Sequence, residues 1–206
     1  MLERFLQASE RLHCHLCPRQ VLGVRMGLLA GTLFDLRLPQ DDKRLLTISE
    51  TDGCFVDGIS VATNCTVGHR TLRVEDYGKI AATFVDTERN DAFRVIPRPT
   101  IRTAAYEYAP SGCTKWDACL IGYQRMPDQE LLLVRAVELT FSLKEVISLP
   151  GRRTTCNGCG EEIINEREVI KCGLPFCVTC LRGGYYQVKR SGEESAEKDR
   201  QLIRQS

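Results

Sequence analysis

Eleven cysteines in a chain of 206 residues constrain its fold more than any other feature of the sequence. Four of them form two C-x-x-C pairs, Cys156 with Cys159 and Cys177 with Cys180, and 17 residues separate the pairs. This spacing is typical of a zinc site in which a hairpin brings two pairs of thiolates together. Because four thiolates fill a tetrahedral coordination sphere, the spacing predicts a structural zinc ion without an open catalytic position.

The remaining composition favours a reducing compartment over a disulfide scaffold. The cysteine count is odd, and the N-terminus lacks the apolar run of a signal peptide. The longest apolar stretch, 21–34, is interrupted by Arg25 and is too short to span a bilayer. We therefore expect a cytoplasmic protein without a membrane-spanning segment. The net charge of +1 gives no global basic field of the kind that attracts nucleic acid.

Hydrophobic periodicity predicts helices in the first part of the chain and strands after them. Helices are expected over 2–12, 18–33, 54–62 and 114–123, and strands over 45–49, 71–74, 80–85, 92–96 and within 131–141. This order predicts an α+β fold. We expect an N-terminal core domain of mixed helices and antiparallel sheet over 1–150, a small four-cysteine zinc module over 151–187 and a charged tail over 188–206.

Three glycines recur at every fourth position of the second predicted helix, Gly23, Gly27 and Gly31. Each glycine costs a helix about 1 kcal/mol relative to alanine. A stripe of three therefore predicts the close approach of another backbone along one face. Such a stripe would also permit tight packing between subunits.

A second cluster of metal-binding residue types lies near the N-terminus, in the sequence HCHLCP at 13–18. Cys17 directly precedes the predicted helix start at Pro18, and Cys54 lies in the first turn of the helix that follows Gly53. A helix N-terminus lowers the pKa of a thiol and so favours the thiolate. With His15, Cys17 and Cys54 could form a three-ligand metal site or a Cys–His nucleophile, so these three are the candidate catalytic residues and core metal ligands.

Each member of this second cluster also has a structural interpretation. Cys54 could be a buried small hydrophobe, and Cys65 could pack beneath a turn. His13 could face solvent at a helix end, and the extra Cys14 could be a ligand or a bystander. The simplest interpretation of Cys113, Cys119 and Cys172 is structural, with Cys172 a small core residue beside a turn.

Four segments of the core resemble the family of the E subunit of formylmethanofuran dehydrogenase. The first runs from His13 to Gly27, and the others are Asp52-Gly53-Cys54 with its following helix, 64–72 and 76–84. The cysteine pairs resemble the C-terminal DksA/TraR-type zinc module of several members. The resemblance implies an α+β core with a cleft that holds His15, Cys17 and Cys54. It also implies association with the molybdenum or tungsten enzyme that fixes CO₂ as a formyl group on methanofuran.

Two functions from different classes follow from these observations. The first is a metal-binding protein with a structural zinc and a Cys/His core site for a second metal ion, which serves metal handling, thiol redox or an oxidoreductase complex. Such a protein would be a homo-oligomer or a subunit of that complex. Whether it is an enzyme depends on an open coordination position or an activated thiolate.

The second function is a zinc-ribbon module that binds nucleic acid or protein without catalysis. Six basic residues could line a basic surface, with Tyr185 and Tyr186 as stacking platforms. They are Arg152, Arg153, Lys171, Arg182, Lys189 and Arg190. Because acidic residues are interspersed among the basic ones, a solvated charged face is favoured and nucleic acid is not an expected partner.

Overall fold

The computed structural model of the chain describes residues 2–143, 147 and 151–187. Two compact units divide the chain, Met1–Leu143 and Lys144–Ser206. The predicted charged tail over 188–206 lies outside the described residues. Among the described helices, none combines the length and the apolarity needed to cross a bilayer.

Three helices form the first part of the core unit, and all three begin where the sequence predicts. They are α1 (Leu2–His13), α2 (Pro18–Phe34) and α3 (Cys54–Thr63). Pro18 occupies the first position of α2, where its missing N–H costs no hydrogen bond. The helix ends at Asp35, whose left-handed backbone (φ 55°) lets its N–H bond back to the carbonyls of Gly31 and Thr32.

The sheet of the core has the strand order β2-β1-β3-β4-β5. Its strands are β1 (Leu45–Ser49), β2 (Leu72–Val74), β3 (Ala82–Asp86), β4 (Asp91–Pro97) and β5 (Leu132–Ala136). The edge pair β1–β2 is parallel and the other neighbours are antiparallel. β5 is shorter than its predicted apolar stretch, because its ladder with β4 ends at the pair of Phe93 and Ala136.

The hydrophobic core lies between α2 and the middle of the sheet. Every residue of β3 is buried, and Ala82, Phe84 and Val85 supply its apolar side chains whereas Thr83 and Asp86 are buried polar residues. The rings of Phe34 in α2 and Phe93 in β4 lie 5.3 Å apart between their centroids. The predicted α+β core is thus confirmed. Between β4 and β5 the chain forms short helices, named α4 (Ile101–Ala104), a 3₁₀ turn (Ala105–Tyr108), α5 (Lys115–Arg125) and α6 (Asp128–Leu131).

The glycine stripe of α2 packs inside the chain. A Cβ atom at Gly23 would lie 2.9 Å from the backbone nitrogen of Ile59 in α3, and one at Gly27 would lie 2.7 Å from the Cβ of Ala62. Gly31 instead faces the carbonyl of Leu36, at 3.1 Å from the position of an added Cβ. The predicted close approach is therefore correct, and α3 provides the approaching backbone.

The second unit contains two short hairpins and one short helix. The hairpins are β6 (Arg153–Thr155) with β7 (Glu162–Ile164) and β8 (Val169–Lys171) with β9 (Leu174–Phe176), and the helix is α7 (Val178–Arg182). The predicted hairpin between the cysteine pairs is the second of these. Its return strand β9 ends at Phe176, and Cys177 directly after it caps α7.

Cys172 is exposed, so the expectation that it is a small core residue is wrong. It occupies the turn between β8 and β9 together with Gly173, and both residues have positive φ angles, 50° and 76°. A tight hairpin turn requires this backbone, which places the residue at the tip of the hairpin and away from any core.

Candidate functional site

The Sγ atoms of the two cysteine pairs converge in the second unit. One sulfur from each of Cys156, Cys159, Cys177 and Cys180 lies within 4.8 Å of the others, and among the described residues this is the one group of three or more metal-binding side chains so close together. The Sγ atoms of Cys159 and Cys177 are 3.9 Å apart. Four sulfurs at the Zn–S bond length of about 2.3 Å would be separated by about 3.8 Å, so the four sulfurs fit a tetrahedral zinc ion.

Backbone geometry at the two C-x-x-C turns positions these sulfurs. The Cys156 sulfur accepts hydrogen bonds from the backbone N–H groups of Gly158 (3.3 Å) and Cys177 (3.2 Å). The Cys177 sulfur accepts one from the N–H of Cys180 at the start of α7 (3.3 Å). A Cβ at Gly158 would lie 2.9 Å from the Cys180 sulfur, so only glycine leaves room for the sulfur there.

The thiols of the cluster differ in how readily they lose a proton. Hydrogen bonds from the backbone N–H groups of Cys177 and Cys159 lower the pKa of Cys156 to about 6. Hydrogen bonds with the neighbouring sulfurs of Cys177 and Cys159 raise the pKa of Cys180 to about 12. Without a cation the cluster can therefore hold few thiolates at neutral pH, and a divalent metal is the group that allows all four to ionise.

Little else holds this unit together. Among the described residues 151–187, only Cys156 and Ile163 are buried. Burial of two side chains contributes a few kcal/mol, which cannot offset the conformational entropy of ordering some thirty residues, at about 1 to 2 kcal/mol each. A bound metal ion would supply the missing folding free energy, as in other small metal-dependent modules.

A cavity of about 720 Å³ opens in the core unit, and two residues of the second predicted site line it. Cys17 and Cys54 both line it, one from each of two helix N-termini. Cys17 is buried and Cys54 is partly exposed. The structure thus brings together two of the three residues that the sequence singled out.

Buried polar contacts and backbone conformation hold the two cysteines at the cavity. The backbone N–H of Cys17 donates to Oε1 of Gln20 (2.7 Å), and Nε2 of Gln20 donates to the carbonyl (2.9 Å) and hydroxyl (3.0 Å) oxygens of Ser9. Gln20 thereby ties the start of α2 to α1. Gly53 precedes Cys54 with a φ of 73° and a ψ of −156°, a conformation available essentially to glycine alone.

Burial and the neighbouring Cys17 thiol raise the pKa of Cys54. The backbone N–H at the start of α3 and the charge of Arg19 act in the opposite direction, and they are outweighed. The sequence-based expectation of a lowered pKa for Cys54 is therefore wrong, because the loss of hydration at the cavity wall exceeds the effect of the helix N-terminus. The raised pKa favours the protonated thiol of Cys54 at neutral pH.

His13 and His15 are neighbours in the structure, and His13 contacts the first turn of α3. Nδ1 of His13 is 2.9 Å from a carboxylate oxygen of Asp57 in α3, and the ring centroids of His13 and His15 are 4.9 Å apart. The residues that line the cavity include Cys17 and Cys54 but not His15. The histidine pair therefore lies next to the thiol pair in the chain without joining it at the cavity wall.

The other cysteines of the core differ in environment. Cys65 is fully buried, and its sulfur accepts hydrogen bonds from Gln40 (3.2 Å) and Thr47 (3.3 Å), which fits a packing role. Cys14 is exposed and has a positive φ of 63°. Cys119 is buried in α5 and contributes to the cavity wall.

Several residues of the cavity wall were not identified from the sequence. They are Arg98, Arg102, Trp116, Cys119 and Tyr123. Trp116, Cys119 and Tyr123 are spaced at i, i+3 and i+7, so the helical period could have assigned them to one face of α5. Nothing in the sequence indicates that this face meets the first turn of α2.

Comparisons with known proteins agree with this architecture. A family model described as "FmdE, Molybdenum formylmethanofuran dehydrogenase operon" matches residues 12–132. A probable S-adenosyl-L-methionine-binding protein of Archaeoglobus fulgidus is 38% identical over 215 residues, which cover 93% of this chain. The chain spans 56% of the length of that relative.

The fold also has a counterpart among solved structures. It is similar to an FmdE-like protein of the tungsten formylmethanofuran dehydrogenase type from Syntrophus aciditrophicus, with a TM-score of 0.54 and 19% identity. The similarity covers 90% of this chain and 95% of that one. Because the family match extends over more than half of the sequence and includes all three cysteines that line the cavity, the chain belongs to the FmdE family.

Proposed function

We propose that this protein is a metal-handling member of the FmdE family with two distinct thiol sites. Cys156, Cys159, Cys177 and Cys180 hold a structural zinc ion that folds the C-terminal module. Cys17 and Cys54 form a dithiol in the core cavity that takes up and releases a thiophilic metal ion as its substrate, with His15 available as a further ligand. One observation supports the second site. Cys17 at the N-terminus of α2 and Cys54 at the N-terminus of α3 line the same cavity.

The chemistry of the dithiol supports reversible binding over tight storage. Since burial raises the pKa of Cys54, capture of a metal ion by its thiolate releases a proton, so affinity rises with pH. Two sulfurs also leave coordination positions open toward the cavity, in contrast to the closed four-cysteine site. Cys17, Cys54 and His15 are thus the residues to test for any catalytic role.

The biological setting of this proposal follows from the family and from the state of the cysteines. The odd count of eleven cysteines and the two C-x-x-C pairs support a reducing cytoplasm, where thiols stay reduced or bind metal. The family description names the operon of a molybdenum formylmethanofuran dehydrogenase, which favours a subunit of such an oxidoreductase complex. The domain limits proposed here are 1–150 for the core, 151–187 for the zinc module and 188–206 for the tail.

Metal analysis of full-length variants tests both sites. The wild type should retain one zinc after purification and bind a second Zn²⁺ equivalent on titration under reducing conditions. The double variant C17S/C54S should keep the first and lose the second, and His15→Ala should weaken the second. C14S serves as the matched control, since Cys14 is exposed and does not line the cavity.

Two outcomes would contradict the proposal for the core site. If C17S/C54S still bound two equivalents, the cavity dithiol would not be the metal site. If the wild type bound only one equivalent and formed a Cys17–Cys54 disulfide in a glutathione buffer, thiol redox would replace metal handling as its function.

The alternative of a nucleic-acid-binding ribbon finds less support in the described part of the module. Arg152 pairs with Glu166 at 2.8 Å and Arg153 pairs with Glu162 at 3.1 Å, so two of the six residues of that basic surface have a carboxylate beside them within the module. A salt-sensitive affinity for single-stranded nucleic acid would favour this alternative. We expect no such affinity at low salt.

A further inference from the structure

Four cationic side chains line the core cavity, Arg19, Arg98, Arg102 and Lys115, and none of its described wall residues is acidic. The chain as a whole is balanced, with 28 Lys and Arg against 27 Asp and Glu. The excess of positive charge is therefore specific to the lining of this cavity and does not reflect the composition of the chain. Arg19 lies at the start of α2, Arg98 and Arg102 lie just before and within α4, and Lys115 begins α5, so three parts of the chain converge at the cavity.

These cations are available to a ligand. Within the part of the chain that the structure describes, none of them forms an ion pair with a carboxylate. Arg98 uses its Nε for a hydrogen bond to the carbonyl of Gln129 (2.7 Å), which leaves its terminal nitrogens. Arg102 lies close enough to the buried Tyr123 to lower the pKa of its hydroxyl against the larger effect of burial.

The rest of the cavity wall is apolar and aromatic. Trp116 and Tyr123 come from α5, and Leu22, Ile80 and Ile101 line the cavity from other elements. Trp116 is half exposed whereas Tyr123 is buried, so one aromatic ring stands at the surface and the other deeper in the protein. The volume of about 720 Å³ lies in the range of small-molecule sites, about 300 to 1,000 Å³.

We propose that this cavity binds a small organic anion that combines a flat apolar ring system with a carboxylate, sulfonate or phosphate group. The arginines would contact the anionic group, because guanidinium groups bind oxyanions through paired hydrogen bonds. The aromatic and aliphatic wall would bury the ring. The inference goes beyond the proposed metal chemistry, and it rests on residues other than the two cysteines.

A pair of isosteric probes tests the charge requirement. Binding of 2-naphthoate and of the neutral 2-naphthamide to the full-length protein is measured by calorimetry and by the fluorescence of Trp116, the single tryptophan of the chain. We expect naphthoate to bind about tenfold more tightly than naphthamide at low salt, and this preference to shrink as salt is added. Inorganic phosphate, which lacks a ring, should bind more weakly than naphthoate.

A charge-matched pair of variants locates the preference. R19Q/R102Q should reduce the affinity for naphthoate about tenfold and leave that for naphthamide unchanged. R11Q/R135Q removes the same total charge from exposed positions outside the cavity and should retain the preference. Equal binding of the two probes, an undiminished preference in R19Q/R102Q, or phosphate binding as tight as naphthoate would each overturn the proposal.

A final variant separates this inference from the proposed metal site. C17S/C54S should bind naphthoate as the wild type does, because serine keeps the shape of the wall and the cations remain. A loss of naphthoate binding in C17S/C54S, with the fold intact by circular dichroism, would overturn the assignment of the anion site to the cations. If the wild type bound naphthoate but failed to bind the second metal equivalent, the result would count against the proposed metal function and not against the anion site.

Discussion

Gly23 and Gly58 meet where α2 crosses α3, and a Cβ atom added at Gly23 would lie 3.2 Å from the Cα of Gly58. An added Cβ at Gly58 would in turn lie 3.0 Å from the backbone nitrogen of Val24. The two helices therefore cross in backbone contact. Because the crossing lies within two turns of both helix N-termini, it also brings Cys17 and Cys54 to one cavity.

Substitution of Gly58 by alanine should destabilise the core unit by about 2 to 3 kcal/mol, because the new methyl group would collide with the backbone of α2 at the Gln20 carbonyl. Urea unfolding followed by Trp116 fluorescence measures the change. Gly68→Ala is the control, since a Cβ there would meet nothing within 4 Å, and its effect should stay within about 0.5 kcal/mol. Equal effects of the two substitutions would contradict the close crossing.

Gln20→Ala should destabilise the protein by about 1 to 3 kcal/mol, because it leaves the buried N–H of Cys17 without its acceptor. It should also increase the rate at which Cys17 reacts with a maleimide, as measured by mass spectrometry of the modified peptides. Gln7→Ala removes an exposed hydrogen bond to Glu3 in α1 and should change neither quantity. An unaltered rate at Cys17 in Gln20→Ala would exclude a positioning role for Gln20.

Loss of one cysteine of the cluster should unfold the C-terminal module and leave the core folded. For Cys159→Ser we expect loss of the bound zinc and loss of amide-exchange protection over 151–187, because little burial stabilises this unit. A chelator should have the same effect on the wild type. Cys172→Ser should retain both zinc and protection, since Cys172 is exposed at the hairpin tip. Persisting protection in Cys159→Ser would disprove the structural role of the metal.

Acid should destabilise the core through Asp86. The hydrogen bonds from Arg44 lower the pKa of this buried carboxyl below its ordinary value of 3.8, despite the opposing effect of burial. A carboxyl with a lowered folded-state pKa stabilises the protein above the unfolded-state pKa, and this stabilisation is lost as pH falls through the folded-state value. The free energy of unfolding should therefore decline below about pH 4.

Asp86→Asn should lower the stability at neutral pH and flatten that decline, as measured by urea unfolding between pH 7 and pH 2. The control is Asp91→Asn, which changes the exposed residue that faces Asp86 in the β3–β4 ladder. If Asp86→Asn retained the full decline with acid, other carboxyls would be responsible for it.

Much of this protein follows from its sequence because the signals are local. The start of α2 at Pro18, the span of β1 and the spacing of the four C-terminal cysteines each depend on residues close together in the chain. Backbone propensity, periodicity and ligand spacing act over such distances. The prediction of Cys17 and Cys54 at helix N-termini succeeded for the same reason.

Other properties depend on which surfaces meet, and only the tertiary structure decided them. The glycine stripe indicated a close contact, but α3 as the partner follows from the match of Gly58 to Gly23 across 35 residues of chain. The raised pKa of Cys54 depends on burial that the helix N-terminus alone does not reveal. Convergence of Arg19, Arg98, Arg102 and Lys115 likewise requires separate elements to pack together. A sequence specifies the chemistry available at each position, whereas the distance between two distant side chains is set by the packing of the elements that carry them.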